Sequence, residues 1–393
     1  MRLQILASAA DVTADDWNAV AGTDHPFLRH EFVHALEVND CVGERHGWLP
    51  RHLAAFDDDG RLAGLVPLYL KDNSYGEFVF DWAWADAYER HGLRYYPKAV
   101  VAVPYTPATG PRILTGPRRR PEVAAALVAL AREWALAEGL SSLHWLFTDD
   151  RDTRLLADQG HLLRLGCQFH WHNPGYRDFE DFLSTLNSRK RKKIRRERRQ
   201  VAEAGIELAV LHGNEAGDRE LALMHEFYRS TFDRKWGHAT LTGGFFRDVA
   251  RDMGDQLVLV FAYRGGEAVA GAVCFRSADT LYGRHWGCRA DYHSLHFEAC
   301  YYQGIDYCIR HGLARFEPGA QGEHKISRGF LPTPTWSAHW ISDAGFRGAI
   351  GRFLEQETPA MQAYIEDMSG HSPYKTTDRP DHGQAALDRS GRA

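Results

Sequence analysis

Residues 53–83 and 260–290 carry one pattern twice, 207 positions apart and without a gap. Eight of these 31 positions are identical: Ala55/Ala262, Ala63/Ala270, Gly64/Gly271, Val66/Val273, Asp72/Asp279, Tyr75/Tyr282, Gly76/Gly283 and Ala83/Ala290. Ordinary residue usage would give about two. A period near 200 is far too long for a solenoid and implies a duplicated domain. Each copy reads as an antiparallel meander. In the second, strands are expected over 257–263, 268–276 and 280–288, with Arg264-Gly265-Gly266 as a turn. In the first, 57–60 is the turn, and the repeat implies a third strand near 73–81.

Helical patterns precede the meanders at 32–38, 220–235 and 245–253, and follow them at 122–138 and 297–311. Gly139 and Gly312 stand where helices end. Short strands return at 142–147 and 314–317. This is an α+β layout with a mixed, mostly antiparallel sheet in each half. The 393 residues, 44% hydrophobic and 25% charged, suit two such domains and exclude a disordered chain. We place the domains at 1–172 and 173–368, with a polar helical stretch over 179–204 opening the second. A disordered tail is expected over 369–393.

Charge is concentrated. Residues 189–199, RKRKKIRRERR, hold nine cations and one anion, so the remainder carries −13 against −5 for the whole chain. An anionic partner at that segment follows from the asymmetry, and a solvated helix face is the plainer reading. The run has no interleaved aromatics, so base stacking is not indicated. No apolar stretch reaches a membrane-spanning length, and the N-terminus lacks a signal-peptide core, which reads as cytoplasmic. The six cysteines form no CxxC. His293, His296 and Glu298 lack the HExxH spacing of zinc hydrolases, and no metal set is expected.

Three stretches resemble a known family: YYPKAVVAVPYTPATGPRIL (95–114), LYGRHWGCRADYHSLHFEACYYQGIDYCIRHGL (281–313) and FEPGAQGEHKISRGFLPTPTWSAHW (316–340). With the basic helix, they are similar to the Fem-like, peptidoglycan biosynthesis/recognition family of predicted N-acyltransferases. That resemblance implies two tandem GNAT-like domains and acyl or aminoacyl transfer to an amine. It implies aminoacyl-tRNA or an acyl thioester as donor and a cell-wall precursor or other small molecule as acceptor. The pyrophosphate-binding loop of acetyl-CoA enzymes has no counterpart after Cys288 or Phe80, which makes acetyl-CoA a doubtful donor.

In a GNAT-type sheet the strand at 314–317 splays from that at 280–288 and opens a crevice. The polar loop after it then supplies candidates: Glu317, Glu323 or Glu298 as the base, and Gln321, His324, Lys325 and His296 as substrate contacts. Alternation along the neighbouring strand puts Tyr282, Arg284 and Trp286 on one face and His285 on the other, all near the crevice. Arg191, Lys192, Arg195 and Arg196 are the tRNA-phosphate candidates. Asp81 and Trp82 sit near the equivalent place in the first half, and 105–112 is a rigid, small-residue loop whose residues alone select no ligand. The competing reading is a non-catalytic module that recognises a cell-wall precursor or RNA through a degenerate pocket. A closed crevice with converging carboxylates favours the enzyme, and an open polar surface favours binding.

Overall fold

The computed structural model describes residues 1–117, 120–234, 238–320 and 322–375. Its strands are β1 (Arg2–Leu6), β2 (Leu49–Pro50), β3 (His52–Phe56), β4 (Leu62–Val66), β5 (Leu68–Lys71), β6 (Lys98–Val101), β7 (Ser142–Thr148), β8 (Leu162–His172), β9 (Ile206–His212), β10 (Leu257–Arg264), β11 (Glu267–Arg276), β12 (Thr280–Cys288), β13 (Arg315–Glu317) and β14 (Leu331–Ile341). β1, β3 and β4 form a small sheet. The other eleven form one sheet in the order β2-β5-β6-β7-β14-β8-β13-β12-β11-β10-β9.

The second copy of the repeat is the expected meander, β10-β11-β12, antiparallel throughout. The first copy departs from it at Pro67. A proline donates no ladder hydrogen bond, and here it divides two strands. β4 stays with β3 in the small sheet, while β5 crosses to pair with β2 and β6. The expected strand near 73–81 is a loop, followed by a helix over Trp82–Arg90. Its structural counterpart is β6. The order β5-β6-β7 repeats β11-β12-β13, and the last pair is parallel in both. Residues 72–97 are therefore an insertion in the first half, held by Lys98, whose Nζ lies 2.8 Å from Glu77 and also binds Asp81.

The polar stretch over 179–204 is two helices, Phe179–Thr185 and Ser188–Glu203. Asn187 divides them by capping the second, its side chain accepting from Lys190 N at 3.0 Å. The basic helix buries Ile194 and Val201, and Glu197, the one acid within its basic run 189–199, is buried too. Arg328 donates to both Glu197 oxygens at 2.9 and 3.2 Å, and the Tyr302 hydroxyl donates to Oε2.

β14 lies between β7 and β8, and β8 also pairs with β13, so strands of both halves are built into one sheet. The tail expected from Ser369 begins on residues built into the fold. A helix runs over Ala344–Gly370, and buried Tyr374 donates its hydroxyl to Gly329 O at 2.8 Å. Residues 376–393 of that expected tail lie outside the described residues. No helix among the described residues is long and apolar enough to cross a membrane.

Candidate functional site

β12 and β13 pair in parallel only at Thr280–Tyr282 against Arg315–Glu317, after which β12 keeps β11 as its neighbour and its β13 side is open. Strict alternation fails along this free part. Against β11, the register passes from Cys274↔Gly283 to Val273↔His285, so Arg284 is the extra residue of a bulge. The bulge returns His285 to the face of Tyr282 and Arg284, and sends Trp286 to the other. Tyr282 packs against Phe27 at 5.2 Å, Arg284 lies 5.8 Å over the same ring, and His285 meets Tyr228 at 4.8 Å. Trp286 faces the opposite layer, 5.5 Å from His296. Gly287 is required where it stands, since a Cβ would meet Phe227 O at 1.6 Å. Burial lowers Arg284 to about 10 and His285 to about 3.

A first-half loop closes over this face. Arg112 is fully buried and spends its guanidinium on backbone carbonyls: Leu146 O at 2.8 Å, Ala108 O at 2.6 Å, Pro111 O at 3.0 Å and Gly110 O at 3.2 Å. The loop 105–112 is thereby fixed in shape. Tyr105 O accepts from Arg284, and Pro107 O accepts from Gln168 Nε2 at 2.8 Å. Thr109 O lies 3.3 Å from His25 Nε2, and a Cβ at Gly110 would meet that nitrogen at 2.6 Å.

Glu317 ends β13 beneath this loop, 4% exposed. Neither carboxylate oxygen has a well-formed hydrogen bond. The Arg315 guanidinium lies 3.3 Å from Oε1, and the Thr109 amide and Arg112 are further favourable neighbours. Burial outweighs them and pushes the carboxyl up to about 7. Thr109 Oγ1 and His25 Nδ1 are likewise buried without partners, so unpaired polar atoms collect where the two halves meet.

The other sequence candidates do not converge here. Glu298 is buried at the start of a π-helical turn, accepting from Arg198 at 3.2 Å and Gln303 at 2.8 Å. Glu323 is exposed and accepts from the Tyr364 hydroxyl at 2.9 Å. His324 Nε2 lies 2.9 Å from Tyr301 Oη, near Phe297. Lys325 is buried, donates to Gly319 O at 2.7 Å, and is lowered by burial to about 7. It braces the loop of Glu317 and pairs with no carboxylate. Gln321 lies outside the described residues. In the basic helix, Lys192, Arg195 and Arg196 are exposed, while Arg191 turns inward to Leu186 O at 3.2 Å. His25, Thr109 and Arg112 are the partners that sequence reasoning missed. The signal for Thr109 and Arg112 was the glycine- and proline-rich loop 105–112, whose residues alone select no ligand, and His25 had none.

No curated protein sequence matches this chain. Among solved structures, the chain is similar to FemX, with 12% identity, a TM-score of 0.54, and coverage of 89% of this chain and 100% of that one. It is similar to the C-terminal domain of a putative lysylphosphatidylglycerol synthetase from Agrobacterium fabrum, with 10% identity, a TM-score of 0.52, and coverage of 88% and 97%. A conserved protein of unknown function from Bacteroides thetaiotaomicron gives 11% identity, a TM-score of 0.50, and coverage of 86% and 99%. At these identities the likeness is one of fold. The α+β architecture of tandem GNAT-like halves expected from the sequence is the one the chain has. A family model described as FemAB-like, peptidoglycan biosynthesis/recognition, matches residues 8–376. With nearly every element from the small sheet to Tyr374 inside that match, the chain belongs to the FemAB-like peptidoglycan biosynthesis/recognition family.

Proposed function

We propose that the protein is an N-acyltransferase that moves an acyl or aminoacyl group to an amine, with Glu317 as general base. The observation that carries this reading is Glu317 itself: a buried carboxyl without a well-formed hydrogen bond, poised near pH 7, where β12 and β13 part. An amine attacks only after losing a proton, and a carboxylate that ionises near neutrality is matched to that task. Arg284 and the Thr109 amide lie on the same seam, where a developing oxyanion needs donors. No covalent nucleophile is needed at this site.

The acceptor in this reading is an amine of a cell-wall precursor, in keeping with the family. The donor is aminoacyl-tRNA or an acyl thioester. Acetyl-CoA is disfavoured because the segment that joins β12 to the helical run from Leu295 reads RADYHS, without the glycines of a pyrophosphate loop. The exposed cations of the basic helix suit tRNA phosphates. The closed surroundings of Glu317 favour an enzyme over a recognition module, although Glu323 stands apart from it.

The test is incubation of the protein with radiolabelled aminoacyl-tRNA or acyl-thioester pools and an amine-bearing peptidoglycan precursor. Label should enter the precursor with wild type and fall about 10²–10⁴-fold with Glu317→Gln. Binding of the precursor without transfer from either donor pool overturns the reading.

A further inference from the structure

A cavity of about 210 Å³ lies where β8 of the first half meets β14 of the second. Gln168, Thr335 and Ser337 of β8 and β14 form its polar floor, and Phe78 and Phe80 of the inserted loop line it too. Phe147, Leu165 and Met361 make the rest largely apolar. Among the described residues its lining cation is Arg164, held by Glu357 at 2.7 Å.

Ser337 opens a chain of hydrogen bonds that runs inward from this cavity. Its Oγ lies 2.9 Å from His339 Nε2, and His339 Nδ1 lies 2.6 Å from His144 Nδ1 on the adjacent strand β7. His144 Nε2 lies 2.7 Å from Ser142 Oγ and 3.2 Å from Tyr95 Oη. Tyr95 donates to Asp81 Oδ2 at 2.6 Å, and Lys98 holds that same oxygen. Lys98 also reaches Glu77 at 2.8 Å and Ser74 at 2.7 Å. Every one of Ser337, His339, His144, Tyr95, Asp81 and Lys98 is at most 4% exposed.

Two proton orders fit these contacts, since Ser142 can donate to His144 Nε2 or accept from it, and the order taken here is the one that also satisfies Tyr95. Burial alone would raise Asp81, but Lys98 holds it down at about 2, so it accepts only. Tyr95 spends its proton on Asp81, so its oxygen accepts from His144 Nε2–H. That leaves His144 Nδ1 as acceptor for His339 Nδ1–H, and His339 Nε2 as acceptor for the Ser337 hydroxyl. Burial keeps both histidines in the neutral form this order requires, with His144 lowered to about 3 and His339 well below its ordinary value.

The backbone around the cavity is strained as well. Phe78 and Phe147, both in its lining, have φ of +61° and +54°. Phe147 is the extra residue of a bulge: β7 spends Leu146 to Thr148 against the single step from Ser337 to Trp336. That bulge lies opposite Ser337, which pairs with the preceding Leu146.

We propose that this cavity is a second catalytic site, in which Ser337 is the nucleophile for esters or thioesters of small apolar acids. Ser337 Oγ attacks the acyl carbonyl carbon while its proton passes to His339 Nε2. The bond to the alcohol or thiol breaks, and that group leaves with the proton from His339. Water then attacks the acyl-serine ester, gives one proton to His339, and releases the carboxylic acid as Ser337 regains its own. Nothing is oxidised or reduced. His144, Tyr95 and Asp81 are positioning residues that hold His339 in the tautomer with Nε2 free. The lining sets the substrate class: it is mostly apolar, its cation is already paired, and it spans about seven times the volume of a water molecule in the liquid. This site is independent of Glu317, so either can fail without the other.

The test is covalent labelling of the full chain with diisopropyl fluorophosphate, mapped by peptide mass spectrometry, alongside p-nitrophenyl butyrate turnover. A single adduct is expected on Ser337, absent in Ser337→Ala and unchanged in Glu317→Gln. Labelling should slow about 10²-fold or more in His339→Gln. Tyr95→Phe keeps the ring but breaks the chain, and should slow labelling per folded molecule, with the folded fraction measured alongside. No adduct on Ser337 in folded wild type overturns the proposal, as does labelling that neither His339→Gln nor Tyr95→Phe slows.

Discussion

The chemistry of this chain rests on how single side chains are buried. Glu317 is the clearest case: removal from water outweighs Arg315 and Arg112 and lifts its carboxyl to about 7. The folded state therefore holds its proton more tightly than the unfolded chain. Stability from this group is full below the ordinary carboxyl range and is lost as pH rises through 7. Wild type should lose up to about 3 kcal/mol relative to Glu317→Gln between pH 4.5 and pH 7.5. Chemical denaturation of both proteins across that range checks this, and parallel curves would contradict it. Glu317 was legible in the sequence because a carboxylate closes a short strand before a glycine-bearing loop. Its desolvation was not, because Arg112 and Thr109 come from 200 residues away and are placed by tertiary packing.

At the scale of elements, the second meander was legible to within a few residues, since its apolar runs and Gly265-Gly266 turn mark every strand. The first misled beyond Pro67. Four of the eight identities, Asp72/Asp279, Tyr75/Tyr282, Gly76/Gly283 and Ala83/Ala290, align an insertion with a strand. The bulge at Arg284 was equally hidden, because one extra residue leaves composition unchanged yet moves His285 and Trp286 to other faces. The basic helix combines two roles on opposite sides. Its buried acid Glu197 anchors it through Arg328, so Glu197→Ala should cost roughly 3–5 kcal/mol in urea unfolding. Reversing exposed Lys192, Arg195 and Arg196 together should leave stability nearly unchanged, because the Arg195–Glu180 pair lies at the surface. If the helix holds tRNA, the same reversal should flatten the salt dependence of binding by about one unit for each lost contact. A reversal that unfolds the protein would reject this division of the helix.

At the scale of the whole molecule, one sheet carries strands of both halves. β14 from the end of the chain sits between β7 and β8, and β8 touches β13. Residues 1–172 alone would leave β7 and β8 without the strand between them. That fragment should fail to fold cooperatively, while the full chain should melt in one transition with equal calorimetric and van 't Hoff enthalpies. Circular dichroism of the fragment and calorimetry of the full chain check this. A fragment that melts cooperatively would contradict it.

The shared sheet also places the first-half loop 105–112 over Glu317, which makes the acyl-transfer reading a property of the assembled molecule. The most direct measurement is the rate of acyl transfer to an amine-bearing cell-wall precursor from pH 5.5 to 8.5, for wild type and Glu317→Gln. Wild type should rise with pH through an apparent pKa near 7, and the variant should be about 10²–10⁴ slower without that inflection. Equal rates in the two proteins, or an unchanged inflection in the variant, would contradict the assignment of Glu317 as the base.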